Sequence, residues 1–206
     1  LISIDEKGDI YAVGTFSGTI QFETQSMTAA SVENTDNFLV KYAADGSMAW
    51  ARSLKGSKLD DINAMDVANH QVVIGGVIRS EDLAVDNAPG ILMKTLDTTG
   101  TWNSMLIISF DTDGNYQWNY IAGSSNQPTD VKTIAIEKDG SIWNAGTTFG
   151  TYYFNPDAED EAKQFPSKAK GGQDMYLMKL SSKGGSVDRT PCGRCNQGRS
   201  NGNGGR

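Results

Sequence analysis

The feature that most constrains this chain is an internal repeat. Ile2–Phe16 reads ISIDEKGDIYAVGTF, Ile134–Phe149 reads IAIEKDGSIWNAGTTF, and Met65–Val77 reads MDVANHQVVIGGV. Each stretch is an alternating apolar run, a turn, and a second apolar run that contains glycine. Gly8 and Gly140 occupy like turn positions, and 140 − 8 = 132 residues separate them, which is two periods of 66. Self-similarity at a fixed period is the signature of a repeat architecture.

A second marker gives nearly the same period. Phe38–Trp50 reads FLVKYAADGSMAW and Leu106–Trp118 reads LIISFDTDGNYQW, so that the two tryptophans lie 118 − 50 = 68 residues apart. A third copy begins at Met175–Leu180 as MYLMKL. Because two independent markers agree, we take the period to be 66–68 residues.

One unit therefore consists of strand A, a turn, strand B, a long connection, strand C, a turn and strand D. Alternation of apolar and polar residues indicates strands with one buried face, and helical periodicity is missing, so we predict an all-β fold. Asp-Gly and Asn-x pairs supply the positive φ angles that two-residue hairpins require. The expected turns are at Lys7-Gly8, Asp45-Gly46, Asn69-His70, Asp113-Gly114 and Asp139-Gly140.

Four antiparallel strands at a regular period are typical of the blades of a β-propeller. We predict about three such blades, a partial propeller or open arc, with Trp50 and Trp118 filling the space between blades. Blade 1 covers about 1–57, blade 2 about 58–125 and blade 3 about 126–185, the last without its fourth strand. The Gly/Asn/Arg-rich tail, 186–206, is expected to be disordered.

Three blades do not close a ring, because propellers typically use four to eight. The chain also opens directly on a strand-like run at Leu1, with no initiator methionine and no signal peptide. We therefore expect a fragment of a larger protein. The alternative is self-association of the chain through its open blade edges.

The repeat text resembles the bacterial SBBP-type β-propeller repeat family. That resemblance implies part of a secreted or surface-attached bacterial protein, usually without an assigned enzyme activity. The middle unit departs from the pattern at its A–B turn, which has no Asp-Gly. The residues that carry the resemblance are Asp9–Phe16, Asp36–Tyr42, Asp45–Trp50, Ser109–Trp118, Asp139–Thr147 and Asp174–Leu180.

Composition and single residues exclude several functions. The net charge of −7 argues against a nucleic-acid partner, and no apolar run is long enough for a membrane span. The only histidine, His70, is expected to be an exposed turn residue, so no Ser/His/Asp set can be built. Cys192 and Cys195 form a single CxxC, too few ligands for structural zinc. We expect no catalytic residue, no metal and no cofactor.

Binding residues are expected in the long B–C connections, because such loops often carry function. These connections are Gln21–Thr35, Arg79–Asn103 and Asn155–Gln173, and they share one rim with the D–A loops. We expect a protein or glycan partner there, although the same residues also suit variable solvated loops. The candidate ligand-binding residues are Asn34, Asp86, Asn87, Trp102, Asp157 and Asp160.

Two classes of function remain open at this point. The first is a non-catalytic binding or scaffold module. The second is a segment of a propeller enzyme, since D-G-x-x-x-W is also similar to the tryptophan-bearing blade repeat of quinone-dependent dehydrogenases. Asp97–Trp102 is the closest local match to that repeat, but it lies in a B–C connection. Asp111–Asn115 looks like the opening of a calcium loop, lacks the distal glutamate, and is explained by a hairpin turn.

Overall fold

The computed structural model describes residues 1–23, 25–31, 34–97, 99–124, 126–153 and 166–188. Within these ranges the regular structure consists of β-strands, without helices, so the all-β prediction is confirmed. The described strands are β1 (Ile2–Ile4), β2 (Ile10–Phe16), β3 (Thr19–Phe22), β4 (Gln25–Thr28), β5 (Asp36–Tyr42), β6 (Met48–Lys55), β7 (Asp61–Ala68), β8 (Gln71–Ile78), β9 (Leu83–Val85), β10 (Leu92–Met93), β11 (Ser104–Asp111), β12 (Tyr116–Ala122), β13 (Thr133–Ile136), β14 (Ile142–Tyr153), β15 (Pro166–Leu180) and β16 (Ser186–Asp188).

The strands form three antiparallel meanders of four strands each. Unit 1 consists of β1, β2, β5 and β6, unit 2 of β7, β8, β11 and β12, and unit 3 of β13 to β16. In each unit the strands pair in chain order, as the repeat predicts for strands A to D. Over the described residues none of these sheets closes on itself.

The long connections contain additional strands, so our expectation of plain loops there was wrong. In unit 1, β3 and β4 form a separate hairpin. In unit 2, β9 and β10 leave their own sheet and extend that of unit 1, where Leu54 pairs with Val85. In unit 3, β15 begins at Pro166, inside the third connection, and pairs there with the end of β14. Strands of two to four residues are too short to show alternation, and the neighbouring sheet stabilises them.

Unit 3 has a fourth strand, which contradicts the prediction that this strand is missing. β16 pairs with β15, with Ser186 opposite Leu180 and Asp188 opposite Lys179. The preceding turn explains this return, since the Gly184 N–H donates to Ser181 O at 3.0 Å and Gly184 has φ +83°. A three-residue strand with one apolar side chain carries no detectable pattern. The remainder of the expected tail, 189–206, lies outside the described residues.

The turn glycines have positive φ as predicted, but most of the loops are one residue longer than expected. At the second turn the Gly46 N–H donates to Ala43 O and the Ala43 N–H donates to Ser47 O, both at 2.8 Å. This is a three-residue loop, a type I turn followed by a glycine bulge. Only the Asn69-His70 turn, with φ 50° and 61°, has two residues among the turns predicted. The other turn glycines with positive φ are Gly8, Gly114, Gly140 and Gly184.

Two of the three core clusters lie at the interfaces between consecutive sheets, and the third lies between unit 1 and the β3–β4 hairpin. Unit 1 buries Tyr11 and Leu39 against unit 2, which contributes Ile74 and Phe110. The opposite face of unit 2 packs on unit 3. This second core includes Val73, Met105, Ile107, Ile134, Ile142, Tyr176, Met178 and Leu180. Unit 2 therefore uses one sheet face for the preceding unit and the other face for the following unit.

A tryptophan packs at each interface, as the repeat predicts. The Trp50 Nε1–H donates to Thr112 O at 3.1 Å, and the Trp118 Nε1–H donates to Ser182 O at 3.0 Å. The acceptor in each case lies two residues before a turn glycine, Gly114 or Gly184. A Cβ at these glycines would meet ring atoms at 2.7 and 2.8 Å, so only glycine allows the indole this close.

Candidate functional site

Asn34 lies where the unit 1 connection meets the link between units 1 and 2. Its Nδ2 donates to Ser57 O at 2.9 Å, and the Ser57 N–H donates to Asp82 Oδ1 at 2.9 Å. Asp82 belongs to the unit 2 connection. Asn34 therefore sits at the B–C end of the strands, in a chain of contacts that joins the two connections.

Asp86 and Asn87 follow β9 and fasten it to its surroundings. The Asp86 carboxylate accepts from the Ser53 N–H at 2.9 Å and from Ser53 Oγ at 3.1 Å. Asn87 Nδ2 donates to Gly114 O at 2.7 Å. Since Gly114 is in the C–D turn of unit 2, Asn87 reaches toward the end of the strands opposite to the B–C connections. These two candidates are thus engaged in holding units 1 and 2 together.

Trp102 belongs to a local turn organised by Asp97. The Asp97 carboxylate accepts from the Thr99 N–H at 2.9 Å and from the Trp102 N–H at 2.7 Å. The indole of Trp102 is 40% exposed and is the one predicted site residue that presents a large apolar surface. Asp157 and Asp160 lie outside the described residues. The predicted residues that the structure describes are therefore not gathered into one site.

A different cluster lies at the opposite end of the strands, which we call the turn end because the A–B and C–D turns are there. Lys41 Nζ forms an ion pair with Asp9 at 2.8 Å and lies 5.1 Å from the Tyr11 ring centroid. It also donates to Thr112 O at 3.2 Å, the carbonyl that accepts from Trp50. Lys41 thereby links unit 1 to the C–D turn of unit 2.

The electrostatics of this cluster favour a charged lysine. Burial lowers the pKa of Lys41, but its hydrogen bonds to Asp9 and Tyr11 outweigh burial and raise the pKa overall. The Lys41 ammonium in turn holds the pKa of Asp9 below its usual value. Tyr11 donates from its hydroxyl to Asp5 Oδ2 at 3.2 Å, and burial raises the pKa of Tyr11.

Unit 3 repeats this arrangement. Lys179 occupies the register position of Lys41, since it pairs with Trp143 as Lys41 pairs with Tyr11. Lys179 Nζ lies 5.3 Å from the Trp143 ring centroid and forms an ion pair with Glu137. The Lys179 ammonium, followed by the hydrogen bonds from Trp143 and Ser141, lowers the pKa of Glu137.

Unit 2 departs from this pattern. Ser109 occupies the lysine position and is opposite Val73 and Trp118. The lysine and the aromatic ring are both replaced by smaller residues. A cleft of about 360 Å³ is found here at the interface of units 2 and 3. Its lining consists of His70, Gln71, Ser109, Phe110, Asp111, Gln117, Trp118, Ser182 and Lys183.

The prediction that His70 is an exposed turn residue is confirmed. His70 lines this cleft and also a smaller one of about 190 Å³ between units 1 and 2. Sequence reasoning missed the larger cleft, although a signal was available. The aligned C strands carry Lys41, Ser109 and Lys179 at one position, and the serine is the exception.

The described residues hold no group of three or more His, Cys, Asp or Glu side chains that could bind a metal ion. Asp111, the first residue of the calcium-like stretch, is engaged in its own turn. Its Oδ1 accepts from the N–H groups of Asp113 at 3.0 Å and Asn115 at 2.8 Å. Cys192 and Cys195 lie outside the described ranges. In the part of the chain that the structure describes, no helix is long and apolar enough to cross a membrane.

No protein-family model matches the chain, and no curated protein matches it by sequence. The resemblance to SBBP-type repeats therefore stays a prediction.

Proposed function

We propose that this chain is a run of blades from a larger β-propeller and that it acts as a non-catalytic binding or scaffold module. Three features support this proposal. Strand A of each unit packs beside strand A of the next, with β1 near β7 and β7 near β13. Each unit stacks on the following one through the same face. The tryptophan contact recurs at both interfaces.

The observation that carries the proposal is the exposure of interface positions at the two ends of the stack. Leu177 of unit 3 is 39% exposed, whereas the residues at its register position in units 1 and 2, Leu39 and Ile107, are fully buried. Met175 beside it is 60% exposed. The following-unit face of unit 3 thus has interface residues and no following unit among the described residues.

The preceding-unit face of unit 1 shows the same property near β1. Ile2 and Ile4 are 74% and 61% exposed, and the paired Ile10 is 37% exposed, although its equivalents Val72 and Ile142 are fully buried. The β3–β4 hairpin covers the rest of this face, with the Phe22 ring centroid 5.1 Å from that of Phe38. Apolar sheet faces of this kind mark interaction surfaces. We propose that further units of the same repeat cover the open face of unit 3 and the part of the unit 1 face near β1 that the hairpin leaves exposed.

The likeness of Asp9–Phe16 and Asp139–Thr147 to SBBP-type repeats supports a secreted or surface-attached bacterial protein as the parent. A protein or glycan partner would then bind at the B–C end, where Trp102 offers exposed aromatic surface. The stretch similar to the quinone-dependent repeat, Asp97–Trp102, forms its own turn in a B–C connection. Among the described residues of that stretch, no contact favours the enzyme alternative.

Dye binding and sedimentation test this proposal. We expect the chain to bind a dye specific for exposed apolar surface and to associate weakly as its concentration rises. Ile4→Lys and Leu177→Lys should each reduce both effects, because each places a charge on one open face. Leu59→Lys is the matched control, since Leu59 is 46% exposed and lies in the link between units.

A discrete closed oligomer in sedimentation would contradict the proposal, because the chain would then complete a ring with copies of itself. Equal effects of Leu59→Lys and Leu177→Lys would contradict the assignment of the open face. A spectral change on incubation with a quinone cofactor would favour the enzyme alternative.

A further inference from the structure

We propose that the cleft between units 2 and 3 binds a primary ammonium group, supplied by the lysine side chain of a partner protein or by a free alkylamine. The inference comes from a comparison of the two unit interfaces and does not depend on the parent protein being a propeller.

At the first interface an ammonium group is built into the fold. Thr112 O accepts from Trp50 Nε1 and from Lys41 Nζ, at 3.1 and 3.2 Å. At the second interface the equivalent carbonyl is that of Ser182, which accepts from Trp118 Nε1 at 3.0 Å. The residue at the lysine position is Ser109, so this interface has the acceptor carbonyl and the indole without the lysine.

Two buried polar atoms in the cleft are left without partners. Ser109 is 1% exposed, and neither its Oγ nor the buried Oε1 of Gln71 has a hydrogen-bond partner in the described structure. Gln71 Nε2 is already used, since it donates to Gly140 O at 3.2 Å. Buried polar groups normally find a partner, and each exception calls for a ligand, a water or an ion.

These unpaired atoms and their neighbours match the donors of an ammonium group. A lysine ammonium has three N–H donors and no acceptor, and Gln71 Oε1, Ser109 Oγ and Ser182 O can all accept. The Asp111 carboxylate also lines the cleft and favours a cation over an anion. The Trp118 ring can add a cation–π contact, as the Trp50 ring does for Arg52 at 5.3 Å.

The volume of the cleft limits the length of the amine that can bind, and the positive charge of Lys183 limits how tightly it binds. About 360 Å³ is within the range of small-molecule pockets and accommodates a four-carbon stem. Lys183 is exposed and lines the cleft, so its ammonium opposes a second cation there. We therefore expect Lys183→Met to tighten binding several-fold.

The test is a titration of the full chain with n-butylamine hydrochloride, followed by the indole N–H signals in ¹⁵N–¹H correlation spectra. The signal of Trp118 should shift with a Kd on the order of 1 mM, typical of a small ligand. The signal of Trp50 should stay in place, because Lys41 already occupies its interface. Trp118→Phe assigns the shifting signal.

Ser109→Lys fills the site from within and should weaken butylamine binding at least about tenfold. An unchanged Trp50 signal in this variant shows that the fold is kept. Equal shifts with n-butanol, or butylamine binding that Ser109→Lys leaves intact, would overturn the proposal.

Peptides distinguish the two sources of the ammonium. A lysine peptide that binds at least about tenfold more tightly than butylamine, with loss of binding on acetylation of the lysine, assigns the site to a partner's side chain. Butylamine binding as tight as that of the peptide assigns it to a free amine.

Discussion

Asp60 is the buried carboxyl group with the clearest consequence for stability. It lies in the link between units 1 and 2, where its Oδ1 accepts from the N–H groups of Arg79 at 2.7 Å and Ser80 at 3.0 Å. Its Oδ2 is buried and has no hydrogen-bond partner in the described residues. Burial raises the pKa of Asp60 in spite of the hydrogen bonds to Ser80 and Arg79.

A raised pKa in the folded state means that the native protein binds the Asp60 proton more tightly than the unfolded chain does. The contribution of Asp60 to the free energy of unfolding should therefore increase as the pH falls through its folded pKa, and decrease as the pH rises through it. Asp60→Asn should flatten this part of the profile and preserve stability at neutral pH. Urea unfolding between pH 4.5 and 7.5 measures the slope.

Asp45→Asn is the matched control, because the hydrogen bonds from Ser47 lower the pKa of Asp45. The stabilising contribution of Asp45 is lost only as the pH falls below about 4, because its unfolded pKa is near 3.8 and its folded pKa is lower, so Asp45→Asn should leave the slope between pH 4.5 and 7.5 nearly unchanged. If the pH profile of Asp60→Asn matched that of the native protein, burial would not raise the pKa of Asp60 in the folded state.

The sequence shows which residue each unit has at the lysine position of the turn-end cluster, but it does not show that a cleft forms where that residue is serine. The aligned C strands already place Lys41, Ser109 and Lys179 at one position. That this position opposes Tyr11, Val73 or Trp143 follows only from the register between strands B and C. The cleft is lined by Ser109 together with residues of unit 3, a relation between two units that periodicity alone does not show.

At the scale of elements, the strap formed by β9 and β10 ties the first two units together. It starts in unit 2 and pairs with β6 of unit 1, where Lys55 is opposite Ala84. Leu83, Val85 and Met93 of the strap are buried in the core shared by units 1 and 2. The pairing depends on an edge strand distant in sequence, so local pattern could not predict it.

The strap offers a direct comparison between a buried and an exposed leucine. Leu83 is 1% exposed and Leu92 is 66% exposed. Leu83→Ala should lower the free energy of unfolding by about 2–4 kcal/mol, through lost burial and a cavity. Leu92→Ala should change it by less than about 0.5 kcal/mol. Similar urea midpoints for the two variants would mean that the strap does not contribute to the shared core.

The hairpin turns show which element-level predictions succeed. Positive φ at Gly46 and Gly114 follows from their place after aspartate and before a second apolar run. The loop length was harder to predict, because a two-residue turn and a three-residue loop with a glycine bulge use the same Asp-Gly pair. The β16 strand was missed for a related reason, since its single apolar residue gives no alternation.

At the scale of the whole molecule, the three units form a linear series joined by two unequal interfaces. The first interface contains the strap, the Lys41 contact and the Arg52 Nε–H bond to Gly114 O at 2.8 Å. The second contains the cleft and, among the described residues, no strand that its two units share, and it is crossed by bonds such as the one from the Ile136 N–H to Asp66 Oδ2 at 2.7 Å. In a repeat array each interface couples only its two neighbours. Unit 3 should therefore be able to open while units 1 and 2 stay folded.

Paired glycine variants separate the two interfaces. Gly184→Ala and Gly114→Ala each add a Cβ under 3.0 Å from an indole ring, at a φ of +83° or +78°. The backbone strain alone is worth about 1–3 kcal/mol. Amide hydrogen exchange should show that Gly184→Ala lowers protection in β13, β14 and β15 and leaves β2 and β5 protected. Gly114→Ala should instead lower protection in units 1 and 2, because Trp50 of unit 1 packs against this turn of unit 2. A uniform loss of protection after Gly184→Ala would show that the three units unfold as one cooperative block, and the order of opening proposed for this series would then be wrong.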